Sequence, residues 1–257
     1  MQNRREVLAS IGVTTAAALA GCPGGLAGED VTEEGGTETS ADGTGTPGGS
    51  TEGPAVAVAA ELNVYRARLF DAVALGRAGQ TAAGAGIAES IFRRFENATG
   101  EYGAHESLER TSESAYEGFE EALGELGSAL ETGDVEGAAD AADEANGHLQ
   151  IAQQALIDNG QTRALDALWL GSRAANACVL AEADHPEAAA TVATETLETF
   201  EEALVHGTLE QADSEVYESF ESALGSIESA AGEGDTAGVS DAVSATLSAA
   251  VEGAYAI

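Results

Sequence analysis

Two histidines sit between carboxylates at one repeated spacing: Glu101, His105 and Glu109 recur as Glu202, His206 and Glu210, each four residues from the next. Residues four apart share a helical face, so a histidine flanked by two carboxylates offers nitrogen and oxygen ligands to zinc, iron or copper. The 45 acidic residues make any one glutamate match cheap, whereas the chain holds four histidines, so the doubled histidine carries more weight. His105, Glu109, His206 and Glu210 are the candidate divalent-metal ligands, and a storage or transfer protein is the function they would serve. The competing reading has each histidine bonded locally to a carbonyl or carboxylate where a connector packs. Metal sites in helical bundles draw ligands from several helices, which favours local satisfaction and no cofactor.

A second repeated pair is Arg68 with Arg173, which with Glu96 and Glu201 would form one buried ion pair per repeat, a stabilising feature rather than a site. Tyr116 and Tyr217 fall on the apolar stripe of a helix, with hydroxyls placed to reach a polar partner. Cys178 aligns with Val73 of the first repeat and reads as a small core residue. A blue-copper site needs a cysteine, two histidines and usually a methionine, and Met1 is the sole methionine. The sequence has no Gly-rich phosphate loop, GxSxG, HExxH or CxxC motif. No catalytic residue is assigned, and an enzyme is not expected.

These residues are carried by an internal duplication. His105–Asp134 aligns without a gap to His206–Asp235, and 14 of 30 positions are identical. Upstream, Phe95 and Phe200 correspond at an offset of 105 in place of 101, so the copies differ by four residues just before the repeated histidine. Leu62, Tyr65, Leu69 and Ala72, then Ile87, Ile91 and Phe95, then Tyr116, Phe119, Leu123, Leu126 and Leu130 recur at helical spacing. Ser112 or Ser114 can cap the third of these helices, Gly133 stops it, and Asp134 caps a fourth that runs to about Leu156. The second copy repeats the plan, with Pro186 at a first helical position. The expected fold is all-α: duplicated four-helix units, about eight helices, with repeat 1 over 55–158 and repeat 2 over 159–257. Gly124 and Gly225 fall mid-helix in both copies, which suggests that helices approach closely there.

The surface is extreme: the formal charge is −35, and all ten basic residues are arginine. Lysine depletion with abundant carboxylates fits a protein of an extreme halophile, where salt screens self-repulsion. Nothing here could neutralise phosphates, which excludes nucleic acid. Residues 1–21 read as a signal peptide, with Arg4 and Arg5 of a twin-arginine export signal ahead of a short apolar run. Leu19-Ala20-Gly21-Cys22 has the form of a lipoprotein box, so acylated Cys22 would hold the chain to membrane lipid on the outer, extracytoplasmic face. Residues 22–54, rich in Gly, Thr and acid, form a flexible tether.

The doubled Y-E-x-F-E-x-A-L-G core, the A-H-E-x-L-E segment at 104–109 and the twin-arginine lipoprotein start resemble a haloarchaeal family of uncharacterised exported lipoproteins. The resemblance covers about residues 55–257 and implies a helical domain of unknown function, in relatives often joined to a halocyanin-like blue-copper domain. It implies no catalytic residues, and proximity to cell-surface electron transfer by association alone. The reading favoured is a membrane-anchored helical binding or scaffold module with an unidentified protein or small-molecule partner. The alternative is the metal protein.

Overall fold

A computed structural model describes residues 52–257, so the expected signal peptide, Arg4, Arg5, Cys22 and nearly all of the tether lie outside the described residues. Those residues fold into ten helices and no strands. They are α1 Glu52–Arg77, α2 Thr81–Asn97, α3 Ala104–Thr111, α4 Glu113–Thr132, α5 Val135–Leu156, α6 Asn159–Glu182, α7 Pro186–Glu202, α8 Leu204–Ala212, α9 Ser214–Glu233 and α10 Thr236–Ala256.

The helix boundaries follow local chemistry. Ser112, not Ser114, caps α4, its hydroxyl accepting from Ala115 N at 3.2 Å. The helix ends at Gly133, whose φ of 79° is left-handed, and the Asp134 carboxylate accepts from Gly137 N at 3.0 Å to start α5. Gly234 and Asp235 repeat that junction between α9 and α10. Asp158 and Gln161 form a reciprocal capping box at the head of α6. Pro186 opens α7.

Each unit is a bundle of four long helices plus a short one. In the first, α1 pairs with α2 and α5, and α4 pairs with α2 and α5; in the second, α6, α7, α9 and α10 repeat the arrangement. The connectors that carry the two histidines, not counted among the eight expected helices, are themselves short helices: Ala104 and Leu108 of α3, like Val205 and Leu209 of α8, are buried. That makes five helices per copy. The mechanism is the same for both connectors, because an apolar pair four residues apart closes the open end of the bundle.

The core is thin, as the composition implies. Ala138, Ala141, Ala142, Ala145 and Ala152 line the inner face of α5, which lets its neighbours approach closely. The helices come closest elsewhere than at Gly124 and Gly225, which face open space. A side chain at Gly84 would meet the Ala72 carbonyl at 2.6 Å, and one at Gly171 would meet Ala250 at 2.8 Å. The first helices of the two units, α1 and α6, pack on each other, and one continuous apolar core runs through both units.

Candidate functional site

The α1–α6 junction is built around a charge. Arg66 is fully buried, and its Nη1 donates to Asp166 Oδ1 at 2.9 Å, Gln153 Oε1 at 2.7 Å and Asn63 Oδ1 at 3.3 Å. Its Nε donates to Asn146 Oδ1 at 2.8 Å, and the guanidinium lies over Trp169, 4.5 Å from the ring centroid. Burial pushes the guanidinium pKa down and Asp166 opposes that shift. Asp166 also accepts from Gln150 and Arg163. Arg66, with α5 and α6, therefore ties the two copies together. At the offset of 105 its counterpart is Gly171, and there Ala250 fills the space instead.

Beside this tie a cleft of about 840 Å³ opens where α1, α5, α6 and α7 meet. Phe70, Val73 and Val192 form part of its wall, and Arg173 lies 4.2 Å above the Phe70 ring. Arg173 donates to Glu195 at 3.3 Å and to Thr199 Oγ1 at 3.2 Å, and pairs with Asp143 at 3.7 Å; Arg77 binds Glu195 with both nitrogens, at 2.9 and 2.6 Å. Burial raises the Asp143 carboxyl pKa, against the pull of Arg173. Glu136, Asp140, Glu198, Glu201 and Glu202 also line the cleft, and none of them makes an ion pair among the described residues. The lining carries seven carboxylates against two guanidiniums.

The expected ion pairs are therefore re-partnered. Arg173 is buried as expected but engages Glu195 and Asp143, while Glu201 stands on the cleft wall. Arg68 is only partly buried and acts on Asp71, and Glu96 turns to His105. The helical repeat explains the first miss: Arg68 and Arg173 align, but the buried arginine of the first copy is Arg66, two positions earlier. Trp169 lies at the junction, 5.6 Å from Phe70. Arg66 is enclosed by Asn63, Asn146 and Gln153 of its own copy and by Asp166 and Trp169 of the other.

The repeated histidines are joined to the repeated tyrosines. His105 Nε2 is 3.2 Å from the Tyr116 hydroxyl and His206 Nε2 is 3.0 Å from that of Tyr217. Phe95 packs on both rings of the first pair and is backed by Phe119; Phe200 and Phe220 repeat this at the second. Burial pushes the Tyr116 phenol up to about 12, with Glu120 and then Glu96 and Glu109 adding to the shift. The two histidines stay in separate units, because α3 packs on α1, α2, α4 and α5, while α8 packs on α6, α7, α9 and α10. Glu109 and Glu210 are exposed, one turn away from the imidazoles. The carboxylates that approach His105 are instead Glu96 and Glu120, and one ligand atom from each of the three residues falls within 4.8 Å of the others. Cys178 is buried in the core.

No helix among the described residues is long and apolar enough to cross a membrane. No curated protein and no solved structure matches the chain. Residues 57–257, which take in all but the first turn of the two bundled units, match the family described as Domain of unknown function (DUF5059), and the chain belongs to that family.

Proposed function

We propose that this protein is a non-enzymatic binding module, tethered outside the cell membrane through Cys22, that takes a cationic ligand in the cleft between its two units. One observation carries the reading: five carboxylates without an ion-pair partner line an 840 Å³ opening whose wall is partly apolar. Clefts of this size between packed units are the usual place for a ligand. Arg77 and Arg173 hold Glu195 and Asp143 in place, which leaves the remaining acids to meet a positive charge. A ligand with a guanidinium or ammonium beside an apolar group fits both parts of the lining. The acids Glu198, Glu201 and Glu202 project from one helix, α7, so the cation would lie along that helix.

The test is calorimetric titration of the full mature chain with an arginine- and leucine-containing peptide at molar salt. Saturable one-to-one binding is expected, and the Glu198→Gln/Glu201→Gln variant should lose it while keeping its helical circular dichroism. Equal binding by that variant, or no saturable binding by the native chain, would overturn the reading.

A further inference from the structure

We infer that Glu96, His105 and Glu120 form a binding site for one borderline divalent cation, of the zinc, iron(II) or cobalt class. This is separate from the cleft and does not depend on it. Three helices deliver the ligands: the last turn of α2 carries Glu96, the first turn of α3 carries His105, and the middle of α4 carries Glu120. Their ligand atoms lie within 4.8 Å of one another, and His105 Nε2 is 3.6 Å from Glu96 Oε1. A cation about 2.0–2.2 Å from each ligand atom is accommodated by small side-chain shifts.

The local chemistry asks for such an ion. Glu96 Oε1 is buried and no donor hydrogen-bonds it, although the Glu96 side chain as a whole is 39% exposed. An unpartnered buried carboxylate oxygen is costly, and a second carboxylate close by raises the cost through repulsion. A divalent ion balances both charges. One imidazole with two carboxylates suits the borderline metals, whereas magnesium and calcium take oxygen ligands and copper(I) takes sulfur. The imidazole is also held in advance, 5.2 Å from the Phe95 centroid and 5.1 Å from that of Tyr116. Tyr116 hydrogen-bonds Glu120, and its hydroxyl lies 3.2 Å from His105 Nε2; that nitrogen has one lone pair, so a cation bound there takes the place of the hydroxyl on the ring, and Tyr116 keeps its bond to Glu120.

The second copy supplies an internal comparison. Glu201, His206, Tyr217 and Glu221 occupy the matching positions, and the histidine–tyrosine bond recurs, yet among the described residues only the first copy gathers its carboxylates around the ring. The four-residue difference explains why. Between α2 and α3 the first copy has a loop of six residues, 98–103, against Ala203 alone between α7 and α8. That loop turns at Gly100, with φ of 103°, and closes with His105 N donating to the Ala98 carbonyl at 3.2 Å. Gly103 rests so close to the Ala98 carbonyl that no side chain fits there. The extra length returns α3 toward the end of α2 and points His105 at Glu96.

Titration of the chelator-stripped full chain with Co²⁺ at molar salt tests this, with the visible d–d absorption as the readout. One equivalent should generate bands distinct from the aquo ion, equimolar Zn²⁺ should bleach them, and excess Mg²⁺ should not. His105→Ala and Glu120→Gln should each lower Co²⁺ affinity by at least about tenfold, whereas His206→Ala should leave it unchanged. If His105→Ala fails to fold, Glu120→Gln, which keeps the side-chain shape, decides. An aquo-ion spectrum throughout, a Glu120→Gln variant that binds like the native chain, or equal loss on His206→Ala would overturn the site.

Discussion

Arg66 of the first unit and Asp166 of the second close an ion pair at 2.9 Å with side chains 0 and 3% exposed. A charge buried so fully is expensive unless paired, and removing Arg66 leaves Asp166 with Arg163 alone, at 3.4 Å, to balance it. Because the pair bridges α1 and α6, that cost falls on the contact between the copies. Arg66→Met should destabilise the fold by about 3–5 kcal/mol, read as a lowered midpoint of chemical unfolding at molar salt. Arg66→Met with Asp166→Leu should recover part of that loss, since the orphaned carboxylate is gone. Equal unfolding midpoints for the single variant and the native chain would refute the role assigned to the pair.

This pair also marks the limit of what the sequence reveals. Leu62, Tyr65 and Leu69 fall on one helical stripe and are all buried, as the period-3.6 pattern requires. Gly133-Asp134 and Gly234-Asp235 announce their helix breaks by residue type. Arg66 shares that face, but as a charge in a strongly charged chain it gives no sign of burial, which depends on polar partners from α5 and α6. The carboxylates around His105 were hidden for a related reason. Spacing of four finds neighbours on one helix, whereas Glu96 and Glu120 reach His105 from two other helices. The duplicated histidine was legible, but its partners depend on where the loop at 98–103 sends α3.

The glycines separate two effects that look alike in sequence. Gly124 and Gly225 have nothing within 4 Å of a would-be Cβ, so alanine there adds only helix propensity. Gly124→Ala should stabilise the fold by about 1 kcal/mol, and Gly225→Ala by a similar amount. Gly84→Ala should act in the opposite direction, because its Cβ would sit 2.6 Å from the Ala72 carbonyl, a backbone atom that cannot rotate aside. Thermal midpoints of the three variants at one salt concentration provide the check. A stabilised Gly84→Ala would refute the close approach of α1 and α2.

Tyr65 predicts a loss of stability in alkali. Its ring is fully buried against Phe95 and its hydroxyl donates to Glu61 at 3.0 Å. Burial, followed by the Glu61 charge, raises the phenol well above its ordinary 10.0, while Arg94 opposes the shift. A group whose pKa is higher folded than unfolded contributes stability that is present below the unfolded value and lost as pH rises toward the folded one. Native stability should therefore fall as pH climbs past about 10. Tyr65→Phe should flatten that decline, measured by denaturant unfolding across the alkaline range. An unchanged pH slope would show that Tyr65 is not its source.

Attachment to a membrane can be separated from folding. Cys22→Ala removes the thiol that, on the proposed reading, would carry the acyl chains. The variant should move from the membrane pellet to the soluble fraction at high salt, with the helical signal of the globular part unaltered. Arg4→Lys with Arg5→Lys should block export altogether. A Cys22→Ala chain that still pellets with membranes would rule out the lipid tether.

Salt should act on the whole fold through the net charge of −35. At about 1 M the screening length is near 3 Å, shorter than the distance between most surface carboxylates, and it grows to about 10 Å at 0.1 M. Repulsion that is local at high salt then adds up over many residues, and the helices that carry it have thin cores to oppose it. On α10 four of the eight buried residues are alanine, and Val239 and Val243 are its larger buried apolar groups. Helical circular dichroism should therefore decline as salt is lowered below molar, and sodium and potassium chloride should be nearly equivalent, since screening depends on ionic strength alone. A trace of Co²⁺ added at fixed ionic strength should protect further by filling the site at Glu96, His105 and Glu120, Mg²⁺ at the same concentration should not, and His105→Ala should remove the Co²⁺ effect. Helicity that survives intact in dilute buffer would show that the acidic surface does not require salt to stay folded.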